Sequence, residues 1–263
     1  MSHRLIDIGA NLTHDSFDDD RDQVIARAAE AGITRIILTG TDVVSSRDAL
    51  ALAKTRPGIL YSTAGMHPHH ASDFSTEVGQ TFAKLLEDAV VVAAGECGLD
   101  YFRNFSPQED QRKAFESQLE LAVSCGKPVF LHQRDAHEDF VAILNPVIGD
   151  IKSGIAHCFT GDRDALHEYL SMGLYIGVTG WICDERRGQI LKEIVAEIPL
   201  DRLMIETDSP YLLPRTLAPK PKSRRNEPLY LAEVLRGVAE AMQESEEVVA
   251  EATTANAERF FGI

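Results

Sequence analysis

The sequence predicts a closed (β/α)₈ barrel, a TIM barrel of the metal-dependent hydrolase type, and three observations carry that prediction. Eight short, β-rich apolar runs recur from end to end, and amphipathic stretches separate them. The runs are almost wholly apolar, as expected of strands buried on both faces of a parallel sheet. The chain has 263 residues, close to the roughly 250 that one such barrel uses. One domain over residues 1–263 is therefore expected.

Taken in order, the candidate strands are residues 5–11, 34–40, 59–67, 90–96, 128–132, 154–159, 174–180 and 202–208. After the first, residues 21–31 read RDQVIARAAEA; after the fourth, residues 109–125 read EDQRKAFESQLELAVSC. Both place apolar residues at helical spacing. Gly32, Gly126 and Gly173 stand where helices should stop. Ser45, Ser75 and Ser106, the last followed by Pro107, stand where helices should start. No G-x-G-x-x-G follows the first strand, which argues against an open dinucleotide-binding sheet. Residues 244–261 read as one or two extra helices packed on the outside.

Composition narrows the function. Hydrophobic residues make up 44% and charged residues 25%, enough for a large core and a solvated surface. The formal net charge is −15. That disfavours broad attraction to nucleic acid or an anionic membrane, yet it leaves room for an enzyme that holds a short polyanion through a metal ion and a local basic patch. Cys97, Cys125, Cys158 and Cys183 are widely spaced with no C-x-x-C pair, so reduced thiols are expected rather than a disulfide framework or a zinc ribbon. No run is long and apolar enough to span a membrane. The opening Met1-Ser2-His3-Arg4-Leu5 lacks the apolar core of a secretory leader. A cytoplasmic, monomeric protein is the expectation.

Titratable residues gather at the strand ends. His67 ends the third run, Glu96 the fourth, His132 the fifth and Asp208 the eighth, and His157 lies near the end of the sixth. Active sites of these barrels lie at the C-terminal ends of strands. A single buried His or Glu is usually a hydrogen-bonded core residue, but five at the same end of five strands argue for a site. Imidazoles mixed with carboxylates suit a divalent cation, Mn²⁺ or Zn²⁺ by donor type and Mg²⁺ less ideally. The expected ligands are Glu96, His132, His157 and Asp208. Glu96 and Asp208 are the expected catalytic carboxylates, with Asp208 as general base. This reading stops at metal-assisted hydrolysis. A cyclic-amide hydrolase, a deaminase or a non-enzymatic binding protein on the same barrel stays open.

Gly95-Glu96-Cys97-Gly98-Leu99-Asp100, Leu131-His132-Gln133-Arg134-Asp135, His157-Cys158-Phe159-Thr160-Gly161 and Glu206-Thr207-Asp208-Ser209-Pro210 together resemble the TatD family of metal-dependent nucleases. Asn226-Glu227-Pro228 is similar to the family's segment after the last strand. The resemblance runs in order through essentially the whole chain. It implies a 3′→5′ exonuclease of single-stranded DNA and RNA supported by Mg²⁺, with a role in repairing oxidative DNA damage. One departure stands out. Many members carry His-x-His on the first strand to hold a first metal, where this chain has Gly9 and Asn11. The branch from which the family takes its name shares that loss, so a second ion is expected to be transient or absent.

Basic residues fall where a polyanion would meet the strand ends. Residues 220–225, Lys-Pro-Lys-Ser-Arg-Arg, follow the eighth run, and Arg134 lies two residues past His132. Arginine forks suit phosphate oxygens. Arg134, Arg224 and Arg225 are therefore expected to bind substrate, and His67 is expected either to support the ligands from beside them or to contact substrate. Tyr101, Phe102, Phe105, Phe159, Trp181 and Tyr211 are aromatics near strand ends that could stack on bases, with Tyr211 and Phe159 preferred because each follows a site residue. His69 and His70 are expected at a loop surface, and Asp135 and His137 in structural roles.

Overall fold

A computed structural model describes residues 3–263; Met1 and Ser2, part of the opening stretch read above, lie outside them. The strands are β1 Leu5–Ala10, β2 Ile33–Leu38, β3 Leu60–Ala64, β4 Val91–Asp100, β5 Val129–Arg134, β6 Gly154–Ala156, β7 Tyr175–Val178 and β8 Leu203–Ile205. The helices are α1 Arg21–Glu30, α2 Val43–Lys54, α3 Thr76–Leu86, α4 Gln108–Cys125, α5 His137–Leu144, α6 Arg163–Ser171, α7 Gln189–Ile194, α8 Leu231–Met242 and α9 Glu246–Phe261. All eight predicted strands form, in one sheet of order β1 to β8. Ala10 and Ser209 bridge in parallel at the seam between the first and last strands. This is the (β/α)₈ barrel that the alternation predicted. The strands are fully buried apart from parts of β2, β3 and β5, as apolar runs in a helix-covered parallel sheet must be.

The chain divides into two compact units. One runs up to Ile37 and adds Cys158–Leu166 and Ile176–Ile263. It holds β1, β8, α8 and α9, with α9 packed against β1 and β8 as the outer helix expected near the C-terminus. The other comprises Leu38–His157 and His167–Tyr175. It holds β3 to β6, which pair in parallel, and a core in which Phe115 stacks on Phe140 at 5.4 Å.

Local signals came out mixed. Ser75 caps α3, its hydroxyl accepting from the Val78 N–H. Gly126 ends α4 in the left-handed conformation. Ser45, expected as a cap, is instead the third residue of α2. The cap is Asp42, whose carboxylate accepts from Ser45 N–H while Ser45 Oγ accepts from Asp42 N–H, a reciprocal capping box. Ser106 does not cap α4 either. Pro107 occupies that position, and the Ser106 hydroxyl donates to His69 O.

The longest strand carries an irregularity that matters for the site. In β4, Ala94 and Cys97 face Val129 and Leu131 of β5, so three steps on one strand oppose two on the other. The extra residue is a β-bulge at Gly95-Glu96, a device that re-aims a side chain. Gly95 has φ 117° and Gly98 φ 142°. A Cβ on Gly98 would sit 1.9 Å from His132 O, so only glycine lets β4 run this close to the backbone of His132. Glu96, expected at the end of its strand, therefore lies inside it.

Candidate metal centre

Within the unit of β3 to β6, four predicted residues come together. His67 follows β3, Glu96 sits on the bulge of β4, His132 lies in β5 and His157 directly follows β6. Their meeting point is one carboxylate oxygen. Glu96 Oε1 lies 2.7 Å from His157 Nε2, 2.9 Å from His132 Nδ1 and 3.3 Å from His67 Nε2. Glu96, His67 and His157 are buried. Burial alone would raise the Glu96 pKa, but the imidazoles of His157, His67 and His132 outweigh it and hold the carboxyl well below its usual range. His67 moves the opposite way to a salt-bridged histidine. Burial drives its pKa well below the usual value despite the attraction of Glu96, so it is neutral.

Two residues that the sequence did not mark as part of the site complete the cluster. Asp100, fully buried at the end of β4, accepts from His69 Nε2 at 2.7 Å and lies 3.7 Å from His132 Nε2, an ion-pair distance rather than a hydrogen bond. His69, expected at the surface, is half-buried and packs edge-on against His67 at 4.1 Å. Burial raises the Asp100 pKa, yet His132, His69 and the Arg103 N–H more than reverse that and leave the carboxyl low. For His132, burial lowers the pKa and the carboxylates of Asp100 and Glu96 more than restore it.

The backbone around these side chains is clipped by α4. Gln118 Oε1 accepts from Met66 N–H at 2.6 Å and its Nε2 donates to Met66 O, fixing the residue before His67. Gln111 does the same for Asp100, accepting from its N–H at 2.8 Å and donating to its O at 3.1 Å. Gln111 and Gln118 are seven residues apart and so share a helix face. Both are buried, and a buried amide at helical spacing was the readable signal.

The donor set fits a divalent cation. Glu96, His67 and His132 each offer a ligand atom within 4.8 Å of the others. His132 Nε2 is buried with no hydrogen-bond partner, an arrangement costly to leave bare. His67 is less suited to ligation. Its Nδ1 accepts from His69 N–H, so the neutral ring carries its proton on Nε2, facing Glu96. That favours the role beside the ligands expected for it.

In the other unit, Asp208 follows β8 in the left-handed region at φ 53°. Its N–H donates to Gly9 O at 2.8 Å, and Asn11 Nδ2 donates to its Oδ1 at 3.1 Å. Of the two positions that depart from His-x-His, Gly9 thus holds the Asp208 backbone and Asn11 its carboxylate. The preceding Thr207 is anchored by buried Asp7, which accepts from its N–H at 2.9 Å and from its hydroxyl at 2.5 Å. Asn226 donates to Thr207 O at 2.9 Å and to Pro210 O at 3.0 Å. Burial, against the Thr207 and Gly9 hydrogen bonds, raises the Asp7 pKa to about 7.

The expected substrate contacts divide. Arg134 lays its guanidinium 3.8 Å over the Phe102 ring. Arg224 and Tyr211 are exposed. Phe159 is 3% exposed and packs in the core, so its face is closed to a base. Arg225 is held by Asp20 at 2.7 and 2.8 Å and by Glu227 at 2.8 Å, and lies 4.8 Å over Phe17. Its charge is committed within the protein. His137, as expected, is structural, meeting Glu168 at 2.8 Å and Tyr169 at 3.2 Å.

A parallel eight-stranded barrel with a buried carboxylate ringed by imidazoles is the arrangement of a hydrolase-type barrel. Residues 6–262 match the family model described as TatD related DNase. The chain belongs to this family of hydrolytic nucleases. It is 51% identical over 257 residues to a protein of Erwinia billingiae named 3′-5′ ssDNA/RNA exonuclease TatD, covering 98% of both chains. Among solved structures, it resembles a TatD homologue from Escherichia coli with TM-score 0.91 at 29% identity over all of both chains. A TatD family hydrolase from Entamoeba histolytica matches with TM-score 0.88 at 27% identity, over 99% of each.

Proposed function

We propose that the chain is a metal-dependent 3′→5′ exonuclease of single-stranded DNA and RNA. The observation that carries the reading is the Glu96 carboxylate with three imidazoles on one oxygen and an orphaned His132 Nε2 beside it. The half-identical relatives named as exonucleases supply the substrate class. Glu96, His132 and His157 are the proposed ligands of one divalent cation, Mg²⁺ in the cell with Mn²⁺ or Zn²⁺ as substitutes. A cation bound there supplies positive charge where the phosphodiester gains negative charge and acidifies the attacking water.

The chain's own groups do the rest. Asp208, held by Asn11 and Gly9, is the proposed base that takes the proton from water, with any role as a ligand secondary. His67 presents its Nε2–H to Glu96 and so keeps that carboxylate oriented. Arg134, Arg224 and Tyr211 are the proposed contacts to the strand, since Arg225 and Phe159 are occupied elsewhere. With first-strand histidines replaced by Gly9 and Asn11, a second cation has few protein donors. We place the protein, as one monomeric domain, in the cytoplasm. Its four cysteines are free and none of its described helices is long and apolar enough to cross a membrane. Removal of damaged 3′ ends after oxidative stress is the proposed cellular role.

The direct test uses 5′-labelled single-stranded DNA and RNA with Mg²⁺, Mn²⁺ or EDTA. A ladder shortening from the 3′ end, abolished by EDTA and by Glu96→Ala and Asp208→Asn, is expected. Cleavage that survives Glu96→Ala would remove the site assignment. No cleavage with any metal would return weight to another hydrolase or to a binding protein.

A further inference from the structure

The loop after β4 turns two phenylalanines outward. Phe105 is 68% exposed and Phe102 54%, so neither ring is stabilised by burial, the usual fate of a large apolar side chain. Their neighbours are specific. Phe105 meets His69 edge-on at 4.7 Å, His69 meets His67 at 4.1 Å, and His67 meets His132 at 4.4 Å. A continuous run of rings thus leads from solvent to the carboxylate cluster. Phe102 lies under the guanidinium of Arg134 at 3.8 Å and within 5.6 Å of Arg103. Neither arginine has a carboxylate partner among the described residues. In a chain of net charge −15, where Arg225, Arg27 and Arg215 are all paired with acids, two unpaired guanidinium groups beside exposed rings form a local surface complementary to an anion with a flat apolar part.

A nucleotide of a single strand has that chemistry. We propose that Phe105 is the stacking platform for the base next to the scissile linkage, and that Arg134, over the Phe102 ring, takes the adjoining phosphate. The inference rests on the nuclease reading and adds to it where the strand enters the site. Stacking tolerates any base because every base has a π face, so the subsite carries no sequence preference. A paired terminus must unstack to use it, which favours single strands.

The test uses a phosphorothioate-linked oligodeoxynucleotide with 2-aminopurine at the terminal or the penultimate 3′ position, and the full chain with Mn²⁺. Stacking should quench the fluorescence at one of these positions. Phe105→Ala should abolish that quench and weaken binding roughly fivefold to a hundredfold, and Phe105→Trp should restore it. Arg134→Gln should weaken binding and flatten its salt dependence while the quench remains. Kinetics give a readout that a structural role would not move. An abasic nucleotide at the quenched position should raise KM for the native chain, with no further rise in Phe105→Ala. Unchanged quench and affinity in Phe105→Ala overturn the platform, as does an equal effect of that variant on abasic and normal strands. Binding and quenching with the probe, but no cleavage of the same strand with ordinary phosphodiester linkages, would sink the exonuclease reading and leave the platform standing. Cleavage that is indifferent to Phe105→Ala would sink the platform alone.

Discussion

The cluster around Glu96 and the segment around Asp208 are built on different principles. In the first, titratable groups hold one another. Three imidazoles lie against one carboxylate, a fourth against Asp100, and the charge on each depends on its neighbours. In the second, one buried carboxyl group and two side-chain amides hold the chain. Asp7, Asn11, Asn226 and Gly9 O fix residues 207–210 largely through main-chain groups. The first arrangement should respond to cations, and the second should be rigid, with Asp7 as its proton-sensitive anchor. A ligand set must exchange protons for a metal, whereas a general base must be held at one position.

The largest effect that separates the two comes from Asp7. Its carboxyl titrates near 7 when folded and near the ordinary 3.8 when unfolded. Between those values the folded chain binds one more proton than the unfolded chain, so stability is greatest at low pH and falls as pH rises through 7. Asp7→Asn should remove that slope. The stability difference between native and variant chains, from urea unfolding, should change by about 3 kcal/mol between pH 5 and pH 8 in favour of the variant at the higher pH. A constant difference would mean that Asp7 is not the titrating anchor. Asp20 works in the opposite sense. Arg225 and Arg27 hold its pKa near 2, so its contribution is present above 3.8 and lost only in acid.

On the other side of the comparison, Gln118→Leu strips the clip from Met66. It leaves a buried N–H and C=O without partners, at a cost of about 1–3 kcal/mol, and should lower cation affinity together with stability. A variant that loses stability but binds Mn²⁺ normally would show that the cluster holds itself without α4. The smallest effect is at the surface. Arg224→Gln should raise KM and reduce the salt slope by about 0.7, the value of one phosphate contact on a single strand. Arg225→Gln should instead cost stability, through Asp20 and Glu227, and leave the salt slope alone. Reversal of that pair would reassign which arginine meets substrate.

The sequence made the barrel legible because strand burial and helix spacing are local patterns. It also exposed His67, Glu96, His132 and His157, since a titratable residue breaking an apolar run is conspicuous. It concealed what depends on distant partners. Arg225 looked like a free cation because Asp20 lies 205 residues away. Phe159 read as a better stacking candidate than Phe105, yet Phe159 is enclosed in the core and Phe105 stands in solvent. Asp100 was hidden because the fourth run read as ending at Glu96, whereas β4 runs on to Asp100 and sets both carboxylates beside His132. Only Gly95 and Gly98 hinted at the bulge in β4.

The central claim is that Glu96 organises a cation site, and equilibrium Mn²⁺ binding followed by electron paramagnetic resonance tests it most directly. Glu96→Gln keeps the shape of the side chain and removes its charge. The native chain should bind one Mn²⁺ tightly and the variant should lose that binding while remaining folded. Equal Mn²⁺ affinity in the two proteins would contradict the account.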